Sequence, residues 1–333
     1  MQHGMRNTLS TLLSLFVSAG VTLAQSSSDP PPVLVYSKTL GYRHASIPAA
    51  RDAIKHIGTS TSLFTPTFSE DENLFTEAQL DHFKAIVFFS NSEEVLTNDG
   101  QAAFKQWLTK GGSLIGLHAG TACLFNDTAF GTAMGSWFDY HPDISNATFT
   151  KVMQHETIDM LPDRYTTYEE VHHFRSDPRD VNCTVLLTYD SDSCSDPQAG
   201  TRPYYQGSPP PSAWFREGQQ VDLTNGTAGL SPAIMTGRTW FTSLGHEIET
   251  WSNPVHLAHV EAGFRWALAE FNTSSSATTS LSTSPSDSAT SSAPAATGGE
   301  TSGASQTCLS TVVLFFAMSM AMTMAMGGVI YAA

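Results

Sequence analysis

Apolar and polar positions fall into alternating blocks along the chain. Val33-Leu34-Val35-Tyr36-Ser37, directly after three prolines, is an unbroken apolar run of strand length and predicts a buried strand. Ser46 then stands as the cap of a helix with apolar positions at Ile47, Ala50, Ile54 and Ile57, closed by Gly58. Ser62–Phe68 predicts a second strand, and Ala85-Ile86-Val87-Phe88-Phe89 a third, apolar throughout as strands covered on both faces are. Leu96 and Thr97 open the next helix, which carries Phe104, Trp107 and Leu108 and ends at Gly111-Gly112. Ser113-Leu114-Ile115-Gly116-Leu117 is a fourth buried strand. Strand–helix alternation with apolar strands predicts an α/β fold, a doubly wound and mostly parallel sheet with helices on both faces. Ligands of such sheets bind outside the carboxyl ends of the strands.

The second half is less regular. Phe149–Met153, Tyr165–Val171 and Thr184–Tyr189 predict strands between Pro- and Asp-rich turns. Ala213–Arg216 and Arg238–Ser243 read as a strand pair joined by the insertion Glu217–Gly237, with Gly245-His246 at the strand end. Asn253-Pro254 opens a last helix with Leu257, Val260, Phe264, Leu268 and Phe271 on one face.

This leaves a folded domain over residues 30–271 between two atypical ends. Residues 1–24 carry Arg6, an apolar run and Thr22-Leu23-Ala24, the pattern of a secretory signal peptide. Residues 272–307 are dominated by Ser and Thr, which suits an O-glycosylated stalk. Residues 308–333 end in an apolar, uncharged tail. Small residues between Gly298 and Ala304 and a short polar spacer precede it, as in a GPI-attachment signal. A single transmembrane span is the alternative, but it would normally carry Lys or Arg on its cytoplasmic side. The expected address is therefore the cell surface, reached by secretion and held through a lipid anchor. Sequons at Asn126, Asn146, Asn182, Asn225 and Asn272 agree with that address.

The net charge of −15 offers no basic stripe for phosphate neutralisation, so no nucleic-acid partner is expected. Cys183 and Cys194 flank a strand and a polar turn and are the expected disulfide, leaving Cys123 as a buried thiol.

Candidate chemistry centres on Gly111–Thr121. Gly116-Leu117-His118-Ala119-Gly120 is a glycine–x–residue–x–glycine turn at a strand end, the shape of a nucleophile elbow with histidine at the centre. The competing reading is a buried strand end with a satisfied histidine. His246 also follows an apolar strand, so both should emerge at one sheet edge. Glu170 shares a strand alternation with Tyr168 and His172, and as an acid or base it needs a dry pocket. His44 and Lys38 lie in the loop after the first strand. His141, beside Pro142, reads as a turn residue packed under the site. His256 and His259 share a helix face without further ligand spacing. Converging histidines could ligate a divalent metal, but no HExxH-type motif supports one, so no cofactor is expected.

The ordered series Lys38–His44, Gly111–Thr121, Phe138–Pro142, Glu169–Arg179, Pro211–Trp214, Gly237–Trp240, Leu244–His246 and Gly263–Ala267 resembles the ThuA-like, trehalose-utilisation family of the class I glutamine-amidotransferase-like superfamily. The resemblance implies a flavodoxin-like sheet with a polar pocket at the strand ends and activity on sugars or modified sugars. His44, His118, Glu170 and His246 stand at matching positions: His118, His246 and Glu170 would be catalytic, and Lys38, His44, His172 and Trp214 would contact substrate. Two departures touch the sugar contacts: Val171-His172-His173 replaces an aromatic–Tyr pair, and Ser212 replaces Ile. With histidine at the elbow, glutamine amidotransfer, which needs a thiolate there, is not expected. Three functions stay open: a carbohydrate-directed acid–base enzyme, a non-catalytic glycan- or wall-binding protein, and a metal-dependent hydrolase. A tight cluster of His44, His118, Glu170 and His246 favours catalysis; scattered side chains favour binding.

Overall fold

A computed structural model describes residues 29–218, 220–221, 234–235 and 237–269. The first half runs β1 (Pro32–Tyr36), α1 (Ile47–Ser60), β2 (Thr65–Ser69), α2 (Glu77–Leu80), β3 (Ala85–Phe89), α3 (Asn98–Thr109), β4 (Ser113–Leu117) and α4 (Thr128–Met134). There follow β5 (Phe138–Tyr140), β6 (Ser145–Lys151), β7 (Arg164–Glu169), β8 (His173–Phe174), β9 (Thr184–Tyr189), β10 (Pro211–Arg216), β11 (Gln220–Val221), β12 (Ile234–Met235), β13 (Thr239–Thr242) and α5 (Pro254–Leu268). The expected leader, stalk, tail, Phe271 and most of the 217–237 insertion lie outside the described residues. Among the described residues, no helix is long and apolar enough to cross a membrane.

Nine strands form one sheet in the order β2-β1-β3-β4-β13-β10-β9-β6-β7. The block from β2 to β13 is parallel throughout. From there each neighbour pairs antiparallel, so β9 and β7 again point the way of the block. The carboxyl ends of β1, β4, β13 and β7 consequently face the same edge.

Alternation along the buried strands sends side chains to two cores. Val33, Val35, Val87 and Ile115 meet Ile47 and Ile54 of α1 and Val260 and Phe264 of α5 on one face. Leu34, Tyr36, Ile86 and Leu114 meet Phe104 and Leu108 of α3 and Phe130 of α4 on the other. Thr97 caps α3 as the sequence predicts, accepting from the Gly100 amide at 3.1 Å. Ser46 does not cap α1: its hydroxyl reaches across to the Gly245 carbonyl at 3.3 Å. Gly58 does not close α1, which runs on to Ser60. A Cβ there would lie 2.7 Å from the Phe64 ring, so the glycine lets the chain turn back onto its own helix.

The expected Cys183–Cys194 disulfide does not form; Cys123, Cys183 and Cys194 are all free. Cys183 sits in the core beneath α3 and α4, whereas Cys194 packs against the core of the opposite face, so the sheet separates them. Asn126, Asn146 and Asn182 are exposed, and Asn225 and Asn272 lie outside the described residues.

Candidate active site

The strand β4 delivers the chain to His118, whose φ of +50° lies in the left-handed region. This is backbone strain of the kind found at elbows, carried by the central residue itself. The flanking glycines provide room. A Cβ on Gly116 would lie 2.6 Å from Met134 Sδ and from the Phe241 ring, and one on Gly120 would lie 2.1 Å from the Phe88 carbonyl oxygen. Thus pressed against β3 and β13, His118 is fully buried. Its Nδ1 is 2.8 Å from the Ser243 carbonyl, which can only accept, so Nδ1 carries the hydrogen and Nε2 a lone pair.

That Nε2 looks at Glu170, and so do four other imidazoles. Around Oε2 stand His172 Nε2 at 3.1 Å, His118 Nε2 at 3.4 Å and His44 Nε2 at 3.9 Å. Around Oε1 stand His246 Nδ1 at 3.0 Å and His141 Nε2 at 3.1 Å. Each arrives on a different element: His44 after β1, His118 after β4, His246 after β13 and Glu170 after β7. His141 directly follows β5 and His172 directly precedes β8, the two strands of a small antiparallel ribbon. A flat sheet would hold the ends of β13 and β7 roughly 19 Å apart, at about 4.8 Å per strand. Instead Glu169 Oε2 accepts from the Gly245 amide at 2.8 Å and Oε1 from the His246 amide at 3.0 Å, so the sheet curls until its edge strand meets its middle.

Burial alone would raise the Glu170 pKa, but His172, His246, His44 and His118 outweigh it and hold the carboxyl well below the usual range. Burial likewise opposes charge on His246, yet the neighbouring Glu170, Glu169 and Glu247 raise its pKa above the ordinary 6.5. His118 goes the other way: burial, then the nearby His172 and His44, push it well below 6.5. Burial also lowers His172. For Glu169, fully enclosed, burial dominates over three backbone N–H donors and pushes it up to about 7.

A cavity of about 320 Å³ opens over this ring, lined by Tyr42, His44, Asn91 and Ser92 together with Phe138, His141, His172 and His246. That volume is at the small end for ligand pockets. The four expected residues His44, His118, Glu170 and His246 therefore converge, and each offers one donor atom within 4.8 Å of the others, a set able to hold a metal ion. His172 joins them. Two expected substrate contacts do not. Lys38 is engaged by Glu72 outside the cavity. Trp214 is fully buried in the core, stacked on Phe241 with ring centroids 4.2 Å apart and donating to the Met134 carbonyl, so no sugar can reach its face.

Sequence reasoning placed His141 under the site rather than in the ring, and it missed Glu169 as the clamp on the loop of His246. Both stand within motifs that carried the resemblance, Phe138–Pro142 and Glu169–Arg179. His256 and His259 are buried on α5 away from the ring; His259 bonds Thr157 and Thr242. Cys123 is no substitute nucleophile, since burial pushes its thiol well upward.

The family profile described as trehalose utilisation, ThuA, matches residues 32–267. No curated protein matches the chain. Among solved structures, a ThuA-like protein of Bacteroides uniformis superposes with a TM-score of 0.52 at 16% identity, covering 74% of this chain and 94% of its own. A ThuA-like protein of Parabacteroides merdae gives 0.49 at 12%, over 72% and 90%. A glutamine amidotransferase of Thermotoga maritima gives 0.40 at 10%, over 72% and 99%.

Proposed function

We propose that this chain, which belongs to the ThuA family of trehalose utilisation, is a surface-anchored secreted enzyme that acts on a small carbohydrate by proton transfer at the imidazole ring around Glu170. The observation that carries the reading is the ring itself: one buried carboxylate within 3.9 Å of five imidazoles beneath a small cavity. Buried, mutually perturbing titratable groups of this kind are concentrated at catalytic sites, which supports turnover over binding alone. The family match supports a sugar as ligand, and the sequence patterns of residues 1–24 and 272–333 support the cell-surface address.

The residues divide the work by exposure. His141 is the most open imidazole, 35% exposed at the cavity, with Nδ1 donating to the Pro142 carbonyl at 2.7 Å and Nε2 toward Glu170. It takes a proton from a sugar hydroxyl, or returns one to a leaving oxygen, and ionised Glu170 stabilises the imidazolium formed. His118, buried and short of a proton, serves as a fixed electron-pair donor rather than a shuttle. Glu169 holds the backbone that carries His246.

The test is turnover of trehalose and a panel of native and oxidised disaccharides by the full chain. His141→Gln should lower kcat by roughly 100-fold or more, and His118→Asn should do likewise with the fold intact by circular dichroism. Glycan binding without turnover of any sugar would overturn the proposal in favour of a binding protein.

A further inference from the structure

We infer that His44, His118, His246 and Glu170 bind one divalent first-row transition-metal ion, as a three-histidine, one-carboxylate site. The inference concerns what the ring binds and stands apart from the identity of the substrate.

The first ground is a contact that hydrogen bonding does not explain. With the hydrogen of His118 on Nδ1, given to Ser243, its Nε2 lone pair faces Glu170 Oε2 at 3.4 Å, acceptor against acceptor, and has no hydrogen-bond partner. His246 Nδ1 stands 3.0 Å from Oε1, again out of line for a hydrogen bond and buried without another partner. The His118 lone pair at such a distance from a carboxylate is repelled unless a cation is shared between them, and His246 Nδ1 at that distance makes no aligned hydrogen bond to offset its burial. The second ground is spacing. Donors about 2.1 Å from one ion lie roughly 3.0–4.2 Å apart, from adjacent to opposite positions. The three nitrogens lie 3.0, 3.4 and 3.9 Å from the nearest carboxylate oxygen.

The third ground is the support behind the donors. Ligating imidazoles commonly give their other N–H to a carbonyl, and ligating carboxylates are themselves hydrogen-bonded. His118 gives Nδ1–H to Ser243, and Glu170 Oε2 accepts from His172 Nε2 at 3.1 Å. Glu169 fixes the Gly245-His246 backbone. Three nitrogens to one oxygen select zinc, iron, cobalt or nickel over magnesium or calcium. His44, His246 and Glu170 line the cavity, so a bound ion would face it with positions open to water or a sugar oxygen.

The full chain, stripped with a chelator and dialysed, is titrated with zinc sulfate, and bound metal is measured by mass spectrometry. We expect close to one zinc per chain retained through dialysis, and no retained magnesium. His118→Gln and Glu170→Gln should weaken zinc by more than the roughly 100-fold that changes behind a ligand cost, while the exposed His82→Gln binds as wild type. Should a ring variant fail to fold, visible ligand-field bands of the wild-type protein, saturating at one equivalent of cobalt, supply the same reading. Absence of stoichiometric zinc and cobalt uptake by the wild type, or a folded Glu170→Gln protein that holds zinc as tightly, would overturn the site. Sugar turnover by a protein that takes up no stoichiometric zinc or cobalt removes the metal site and leaves the enzyme; stoichiometric zinc without turnover of any sugar does the reverse.

Discussion

The glycines of Gly111–Thr121 serve different physical purposes, and alanine substitution separates them. Gly111, past the end of α3, has φ of +87° and nothing within 4 Å of a built Cβ. Alanine there meets only the left-handed backbone cost, about 1 kcal/mol. Gly120 needs no unusual backbone angle, but its Cβ would lie 2.1 Å from the Phe88 carbonyl oxygen. That oxygen belongs to β3, held between β1 and β4, so it cannot retreat as a side chain would. Relief requires the turn to move by about 1 Å, an overpacking cost of about 3 kcal/mol or more. Gly116 is intermediate, because Met134 is flexible enough to give way. For a domain of roughly 150–250 residues, 1 kcal/mol shifts Tm by about 2–4 °C. Gly111→Ala should therefore lower Tm by about 2–4 °C and Gly120→Ala by at least about 6–12 °C, followed by differential scanning calorimetry. Equal losses, or a larger loss at Gly111, would refute the claim that the elbow glycines supply space while His118 alone carries the strain.

Two further outcomes follow from the same geometry. Alkylation of the native protein without reductant should label half-exposed Cys194 and spare buried Cys123 and Cys183; recovery of a peptide pair linked through Cys183 and Cys194 would contradict the separation of these thiols by the sheet. For His246 the sign is that of a base whose folded pKa is raised above 6.5, so its ionic contribution is complete below 6.5 and is lost as pH rises through the folded value. In chelator, the urea-measured stability gap between wild type and His246→Gln should be widest below pH 6.5 and close above it; a gap that widens with pH would reverse the assignment.

The parallel half of the fold was legible because its central strands are buried on both faces and its helices carry a one-sided apolar stripe. Ala85–Phe89 and Ser113–Leu117 match β3 and β4 residue for residue. The strand pair across the 217–237 insertion was legible for the same reason, as β10 and β13. Errors arose where packing overrode local chemistry. The Ser46 hydroxyl bonds a loop distant in sequence instead of its own helix, and proximity in sequence could not reveal that Cys183 and Cys194 face opposite cores. Trp214 carries a motif signal because its indole ties β10 to the end of α4, a structural demand that looks the same in sequence as a functional one.

The site was legible strand by strand but not as a ring. His118 and His246 follow parallel strands and His44 lies in the loop after another, so a common edge follows from the pattern alone. Glu170 ends the far edge strand, and only the curl of the antiparallel half brings it home; no local pattern encodes that closure. The ribbon of β5 and β8 explains the departure at Val171-His172-His173. Alternation sends His172 inward, to donate to Glu170, and His173 outward, stacked on Tyr140 with its Nε2 3.1 Å from Asp196. The substitution that put the sugar contacts in question in fact supplies the group that orients the central carboxylate. Because His172 makes the hydrogen bond to Oε2 that His118, its own hydrogen given to Ser243, cannot make, that oxygen of Glu170 is held in place while the His118 lone pair is left facing it.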